Sequence, residues 1–216
     1  MTTYVKLLEL MNAGNYEGAR AALRANIREE SAKKSGNANK QKILEAVMKE
    51  NAKNPNKLLC KANAQKDGSF AILNSWRIFF ADTPCGFDVE TERPFDASAI
   101  LAGSTTYSGN MEPFCDRISF DRAQVDLFIK FNNIKRSTRQ PAPFFVKSEN
   151  DKIYAFNPIG ILDFIDYSGS EVALANGPKA PIVAENKSAV LLPICRAGVE
   201  TCEEYDEWIK KTFSEV

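Results

Sequence analysis

Side chains that carry out most protein chemistry are scarce in this chain of 216 residues. There is no histidine, which excludes a Ser-His-Asp triad, a Cys-His pair and a histidine metal site. The five cysteines are scattered, and none form the C-x-x-C pair that is typical of a zinc site. They are Cys60, Cys85, Cys115, Cys195 and Cys202. We expect ordinary thiols in a reducing compartment.

Carboxylates are the remaining groups with catalytic potential. No pair of acids can be assigned to one reaction centre, and no glycine-rich phosphate loop occurs in the sequence. Four aspartates could bind Mg²⁺ in principle, but only composition supports such a site. They are Asp121, Asp126, Asp163 and Asp166. We therefore expect no catalytic residue, no metal site and no cofactor, and hence a protein that is not an enzyme.

Charge is unevenly distributed, although the net charge is zero. Residues 1–66 contain 13 Lys/Arg and 6 Asp/Glu, whereas residues 67–216 contain 15 and 22. The basic front could face a nucleic acid, form an ordinary solvated surface, or complement the acidic part of the same molecule. The sequence leaves these three interpretations open.

The composition is that of a globular protein, because 44% of the residues are apolar. No apolar run approaches the roughly 20 residues that cross a bilayer. Lys6, Glu9 and Asn12 interrupt any apolar signal core at the amino end. We expect a soluble, cytoplasmic protein without membrane association.

Five stretches have the periodicity or composition of helices. They are residues 3–11, 16–30, 40–52, 119–132 and 203–213. Either Ser119 or Asp121 could cap the fourth of these helices. The first two predict an amino-terminal helical hairpin, which a polar linker at 31–39 follows. The last places Tyr205, Ile209 and Phe213 on one stripe, with Trp208 beside it, and so predicts an amphipathic carboxy-terminal helix.

Strand patterns fill the interior of the chain. Asp67-Gly68 predicts a hairpin, and Asn74-Ser75 predicts a kink, bulge or turn that splits the β-type run at 69–81 into two strands. The last third, residues 152–196, combines a strand, an Asn-Pro pair, a short apolar helix and three further β-type runs. This order of helices and strands predicts an α+β fold.

The last third also resembles the closing segment of the bacterial sliding clamp, the β subunit of the replicative polymerase. The matching segments are FNP at 156–158, LD at 162–163, VAL at 172–174, PIV at 181–183 and VLLPICR at 190–196. A second resemblance lies at 74–78, where Asn-Ser-Trp-Arg-Ile stands in place of an Asp-Gly-His-Arg-Leu motif. The alternative there is a half-buried strand with a bulge.

The resemblance implies a sliding-clamp-like domain of two related helix/sheet halves. This domain would occupy residues 39–196, between the hairpin with its linker (1–38) and the carboxy-terminal helix (197–216). A bacterial clamp subunit has three such domains, so this chain would need several copies to close an oligomeric ring. The implied function is that of a DNA replication accessory similar to a polymerase processivity factor, with duplex DNA and replication proteins as partners.

Clamp helices line the inside of the ring and present basic residues to DNA phosphates without reading the bases. The resemblance and the basic helices together predict DNA contacts from Lys40, Lys42, Lys49, Trp76, Arg77, Arg122, Lys130, Lys135, Arg136 and Arg139. The helix near residues 159–166 offers no cation and ends with Asp163 and Asp166, so this surface is only partly basic.

A pocket beside the last strand of clamps receives short peptides from partner proteins. By resemblance, the partner-binding residues here are Pro193, Cys195, Arg196, Tyr205, Trp208, Ile209 and Phe213. The carboxy-terminal helix could block such a groove or dock as ordinary core, and we favour docking. The rival hypothesis for the whole chain is a clamp-fold protein-interaction module of phage or mobile-element origin that does not encircle DNA.

Overall fold

The computed structural model describes most of the chain. The described residues are 3–34, 36–52, 57–103, 114–136, 138, 140–194 and 198–213. Three predicted site residues, Arg139, Cys195 and Arg196, lie outside these ranges.

Helices and strands both contribute to the described part, which confirms the α+β class. The helices are α1 (Thr3–Asn12), α2 (Tyr16–Lys34), α3 (Ala38–Asn51), α4 (Ser98–Leu101), α5 (Arg122–Phe131), α6 (Pro158–Ser168) and α7 (Cys202–Phe213). The strands are β1 (Ala62–Ala64), β2 (Phe70–Leu73), β3 (Arg77–Ala81), β4 (Val89–Glu90), β5 (Asp116–Ser119), β6 (Phe144–Lys147), β7 (Ile153–Phe156), β8 (Val172–Ala175), β9 (Ile182–Ala184) and β10 (Ala189–Leu191). None of the helices described has the length and apolar character needed to cross a membrane.

Eight strands form one sheet in the order β4-β1-β2-β3-β10-β9-β8-β5. Its neighbours are antiparallel, except that β1 and β4 run parallel. Strands β6 and β7 form a separate antiparallel hairpin. The pairing of β3 with β10 joins the front of the chain to its last third within one sheet.

The two halves that the sequence predicts each contain a helix followed by a hairpin, yet the hairpins lie in different places. After α3, strands β1, β2 and β3 enter the large sheet, whereas after α5 the β6–β7 hairpin stands apart from it. The Asp67-Gly68 turn between β1 and β2 is as predicted, with Gly68 at a φ of 85°. Glycine adopts this left-handed conformation without strain.

Alternation along the strands sends side chains to both faces of the large sheet. Ile72 and Phe79 join the main core, which α3, α5 and α6 complete. Leu73 and Ile78 point the other way, into a smaller cluster that includes side chains of α4. Helices α3, α5 and α6 therefore cover one face of the sheet, and the candidate site forms along this helical layer.

Two predicted boundaries are wrong. Ser119 ends β5 and does not begin a helix, because β5 pairs with β8 and buries Ile118 in the core. Asp121, the other candidate cap, caps α5 and accepts a hydrogen bond from the backbone N–H of Gln124 at 3.1 Å. The linker predicted at 31–39 is too long, because α2 continues to Lys34. The domain division at residues 38 and 196 stays a prediction.

The amino-terminal hairpin and the carboxy-terminal helix both contact the central fold. Arg28 of α2 donates to the carbonyl oxygen of Gly86 at 2.9 Å, and its guanidinium lies 5.3 Å from the centre of the Phe87 ring. Trp208 of α7 packs against Phe144 and Phe145 of β6, with ring centroids 5.5 and 5.2 Å apart. The docking that the sequence favours for the last helix is therefore present.

Gly160, inside α6, allows close packing that no larger residue would permit. A β-carbon placed there would lie 2.5 Å from Cζ3 of Trp76 and 2.9 Å from Cδ1 of Leu191. Such distances are well inside van der Waals contact, so the Trp76 ring packs directly on the α6 backbone. Alanine is ordinarily about 1 kcal/mol better than glycine inside a helix.

We expect Gly160→Ala to destabilise the protein in spite of this helix preference. Overpacking typically costs about 1–3 kcal/mol, which exceeds the gain in helix propensity. Urea unfolding followed by circular dichroism measures the difference. In the Trp76→Leu background, where the close contact with the ring is gone and only that with Leu191 remains, Gly160→Ala should cost clearly less than it does with the ring present. Equal effects in both backgrounds would contradict the packing explanation.

Candidate functional site

A buried ion-pair network connects the sheet to the helical layer. Arg77 begins β3, and its side chain has no exposed surface. Its guanidinium donates to Asp163 of α6, whose side chain is also fully buried, and to Glu50 of α3 at 2.7 Å. Arg136, in the segment after α5, donates to both carboxylate oxygens of Asp163 at 2.9 and 2.5 Å. Two arginines and two carboxylates thus hold four parts of the chain together.

Local structure sets the position of each member. The side-chain oxygen of Asn74 accepts from the backbone N–H groups of Trp76 and Arg77, both at 3.1 Å, and so forms the turn that the sequence predicts between β2 and β3. The Asn74 amide also donates to Glu50 at 2.8 Å. The Arg77 guanidinium then lies 4.0 Å from the centre of the Trp76 ring, a cation–π distance.

Burial and pairing act in opposite directions on the arginines. Desolvation lowers the pKa of Arg77, and the charges of Asp163 and Glu50 oppose this by favouring the charged guanidinium. The hydrogen bonds to Asp163 raise the pKa of Arg136, which lies partly in solvent. An arginine keeps its charge at neutral pH in either setting, so the network pairs two positive with two negative charges.

An open cleft of about 610 Å³ lies beside this network. Its walls come from α3, the turn before β3, the segment after α5, and the start of α6. The lining residues are Ala46, Lys49, Glu50, Trp76, Lys135, Arg136, Thr138, Pro141, Asn157 and Ile159. The volume falls within the range of small-molecule pockets in proteins.

The cleft carries positive charge that the network leaves unbalanced. Lys49 and Lys135 are both exposed, and neither makes an ion pair with any carboxylate that the structure describes. Two hydrogen bonds to Thr138 hold the backbone of Lys135 in place. The Thr138 hydroxyl accepts from the Lys135 N–H at 3.0 Å, and the Thr138 N–H donates to the Lys135 carbonyl oxygen at 2.9 Å. The arrangement can attract an anion.

The structure brings together four of the predicted DNA contacts and separates the others. Lys49, Trp76, Lys135 and Arg136 line the cleft. Arg77 lies beneath it, and the prediction that Arg77 contacts a phosphate directly is wrong for this conformation because its guanidinium is fully enclosed.

The remaining predicted cations that the structure describes lie elsewhere on the helices. Lys40 approaches the Tyr167 ring, 5.4 Å from its centre. Arg122 pairs with Asp166 of α6 and, at 3.7 Å, with Asp126. Lys42 and Lys130 are exposed. The Arg122 side chain therefore already has carboxylate partners in the structure.

A second groove, of about 510 Å³, lies between α5 and α7, and among the predicted partner-binding residues that the structure describes it is lined by Trp208. Trp208 forms part of its wall, together with Phe131, which is 53% exposed. Tyr205 and Trp208 pack on the β6–β7 hairpin, whereas Phe213 joins the main core, 6.0 Å from the Trp208 ring centre. Ile209 and Pro193 are half-buried. No group of three or more metal-ligating side chains occurs among the residues described.

Sequence reasoning missed the two carboxylates of the network. Asp163 sits between Leu162 and Phe164 in a helix that is apolar on nearly all sides. A charge in such a helix is buried and requires a partner, which is the signal that could have identified it. Glu50 has no comparable signal, because acidic residues near the end of a helix are common on surfaces.

No protein-family model matches the chain. No curated protein matches it either. Among solved structures, the chain is similar to a crystal structure provisionally assigned as a DNA polymerase III beta subunit from Eubacterium rectale, with 12% sequence identity and a TM-score of 0.33. The similarity covers 58% of this chain and 41% of that one, so this chain spans less than half of that protein. A likeness of this size assigns neither a site nor a function.

We expect Asp163→Asn to cost about 3–5 kcal/mol of unfolding free energy, because it leaves the buried Arg77 charge with too little compensation. Urea unfolding of the whole chain measures this loss. The paired replacement Arg77→Met/Asp163→Leu should cost much less than Asp163→Asn, since it removes both buried charges. Asp166→Asn, at an exposed ion pair, is the matched control and should cost less than about 1 kcal/mol. A loss as small for Asp163→Asn as for this control would contradict the role of the network.

Proposed function

We propose that this chain is a non-enzymatic accessory protein of DNA metabolism that binds the nucleic-acid backbone through its helical layer. The observation that supports this most directly is the cleft lined by both Lys49 and Lys135, which make no ion pair with a carboxylate in the described part of the chain. Lysine and arginine side chains around an open surface attract phosphates through charge and do not select a base sequence. The sequence resemblance to processivity factors is in keeping with such a role. We place the protein in the cytoplasm.

Within this proposal, the buried network and the cleft have separate tasks. The Arg77, Asp163 and Glu50 side chains are committed to each other, so they fix the walls and take no part in binding. Arg136 lies at the rim, with half of its side chain exposed and its orientation set by Asp163. A guanidinium held in this way is preorganised for a further contact, which lowers the entropy lost on binding.

We expect the protein to bind a fluorescent duplex of about 25 base pairs with an affinity that falls steeply with salt. Fluorescence anisotropy between 50 and 300 mM NaCl measures the slope of log affinity against log salt. The variant Lys49→Gln/Lys135→Gln should bind more weakly and reduce the slope by about one for each lysine lost.

The matched control for this measurement is Lys179→Gln, which removes an exposed lysine from the turn between β8 and β9. We expect this control to bind as the unaltered protein does. A flat salt response would exclude backbone binding. An equal loss in the control and in the cleft variant would show that binding is general attraction and does not depend on the cleft.

A second candidate function, that of a protein-interaction module, is favoured by the amino-terminal hairpin. Its helices leave large apolar side chains in solvent, between 43% and 66% exposed. They are Val5, Leu8, Met11, Tyr16, Leu23 and Ile27. Exposed apolar surface of this kind on a helical hairpin is typical of an interaction site.

We propose a second copy of the chain as the occupant of this surface. The hairpin belongs to the basic part of the chain, residues 1–66, whereas residues 67–216 have an excess of acidic side chains. A head-to-tail contact between two copies places these unlike parts together.

We expect size-exclusion chromatography with light scattering to give a mass above that of one chain. The variant Ile27→Glu should return the protein to a monomer with unchanged circular dichroism, because it puts a charge on the apolar stripe. Ala21→Glu, exposed on the same helix, is the control and should keep the higher mass. A clean monomer of the unaltered chain at both low and moderate salt would exclude a second copy as the occupant of this surface.

A further inference from the structure

The charges around the cleft do not cancel. Arg77 and Arg136 are balanced by Asp163 and Glu50, as the distances above show. Lys49 and Lys135 add two positive charges on different walls, and no carboxylate in the described ranges pairs with them. Two unpaired positive charges around one opening repel each other. An occupant with two negative charges would offset this repulsion better than an occupant with one.

Phosphate groups differ in how well they meet this requirement. A phosphodiester inside a nucleic-acid strand carries one negative charge. A phosphate monoester carries about −1.5 to −2 at neutral pH, because its second pKa is near 6. Its three terminal oxygens accept hydrogen bonds from ammonium and guanidinium groups that approach from several sides.

The wall at the start of α6 also suits such a ligand. Asn157 caps this helix with its side-chain oxygen, which accepts from the backbone N–H of Ile159 at 3.0 Å, and both residues line the cleft. The amino end of an 11-residue helix carries a partial positive charge, which adds to that of the two lysines. Trp76 supplies an apolar wall to the same opening.

We propose that this cleft is a binding site for a phosphate monoester dianion, held between Lys49 and Lys135 beside Arg136. The phosphate can belong to a free nucleotide or to the phosphorylated end of a nucleic-acid strand, since both present the same group. This inference rests on the proposed function in so far as it uses the same cleft. It goes further, because it assigns the cleft to a monoester and not to the internal backbone.

The test uses the full-length protein labelled with ¹⁵N and follows its two tryptophan indole signals. The probes are inorganic phosphate, thymidine 5′-monophosphate and thymidine. We expect the first two to shift the Trp76 indole signal, assigned with Trp76→Phe, and thymidine to leave it in place. The Trp208 signal should stay unchanged, because this residue of α7 packs on β6 and does not line the cleft. In Lys49→Gln/Lys135→Gln the affinity for the monophosphate should fall on the order of tenfold per lysine, whereas Lys179→Gln should keep it.

A second arm separates the sources of the phosphate and compares three duplexes of equal length. One has 5′-phosphates, one has 5′-hydroxyls, and one is a closed circle. Tighter binding of the phosphorylated duplex would support the inference, with strand ends as the source. Binding of the free monophosphate with no difference among the duplexes would support it, with nucleotides as the source.

The two proposals fail in different ways. No shift of Trp76 with either phosphate probe, together with salt-dependent binding of all three duplexes, would overturn the monoester site and keep the proposed function. A Trp76 shift with the monophosphate but no binding of any duplex would support the site and overturn the proposed function. Equal shifts with thymidine and its monophosphate would overturn the inference, because the phosphate would then contribute nothing.

Discussion

The ion pair between Arg77 and Asp163 is the interaction on which the arrangement of this molecule depends. Both side chains are fully buried, and a buried charge without a partner costs several kcal/mol. The two residues are 86 positions apart, on β3 and α6, so the chain must bring the front of the sheet to the helix of the last third. Apolar packing supplies most of the stability, as in other domains. The ion pair restricts how that packing can be arranged.

The same restriction creates the cleft. Because Asp163 also binds Arg136, the segment after α5 is drawn against α6, and because Glu50 binds Arg77, the end of α3 is held beside it. Gly160 lets the Trp76 ring pack on the α6 backbone and complete the wall. The lysines on the rim, in contrast, contribute nothing to these contacts. Stability and binding are therefore assigned to different side chains of one small region.

Much of the fold could be predicted from the sequence, whereas the network could not. Asp121 as a helix cap, the Asp67-Gly68 turn and the docking of α7 all follow from local patterns. The burial of the Arg77 side chain could also be predicted from a local pattern. It shares a strand face with Phe79, which is in the core, so alternation alone indicates burial. The resemblance to clamps predicted a DNA contact for it instead. The partners Asp163 and Glu50 depend on tertiary contacts, which one sequence does not specify.

Arginine and lysine have different roles at this site: the arginines bind carboxylates of the protein, and the lysines remain available to an anion. Arginine has a rigid planar fork that matches a carboxylate, and both arginines of the network are used in this way, on Asp163 and Glu50. Lysine carries a compact charge on a flexible stem and loses little by remaining in solvent. Lys49 and Lys135 are thus the groups that can reach an incoming anion without dismantling the core. Because the arginines are held by carboxylates, the lysines can be changed without unfolding the protein, and binding can be separated from stability by experiment.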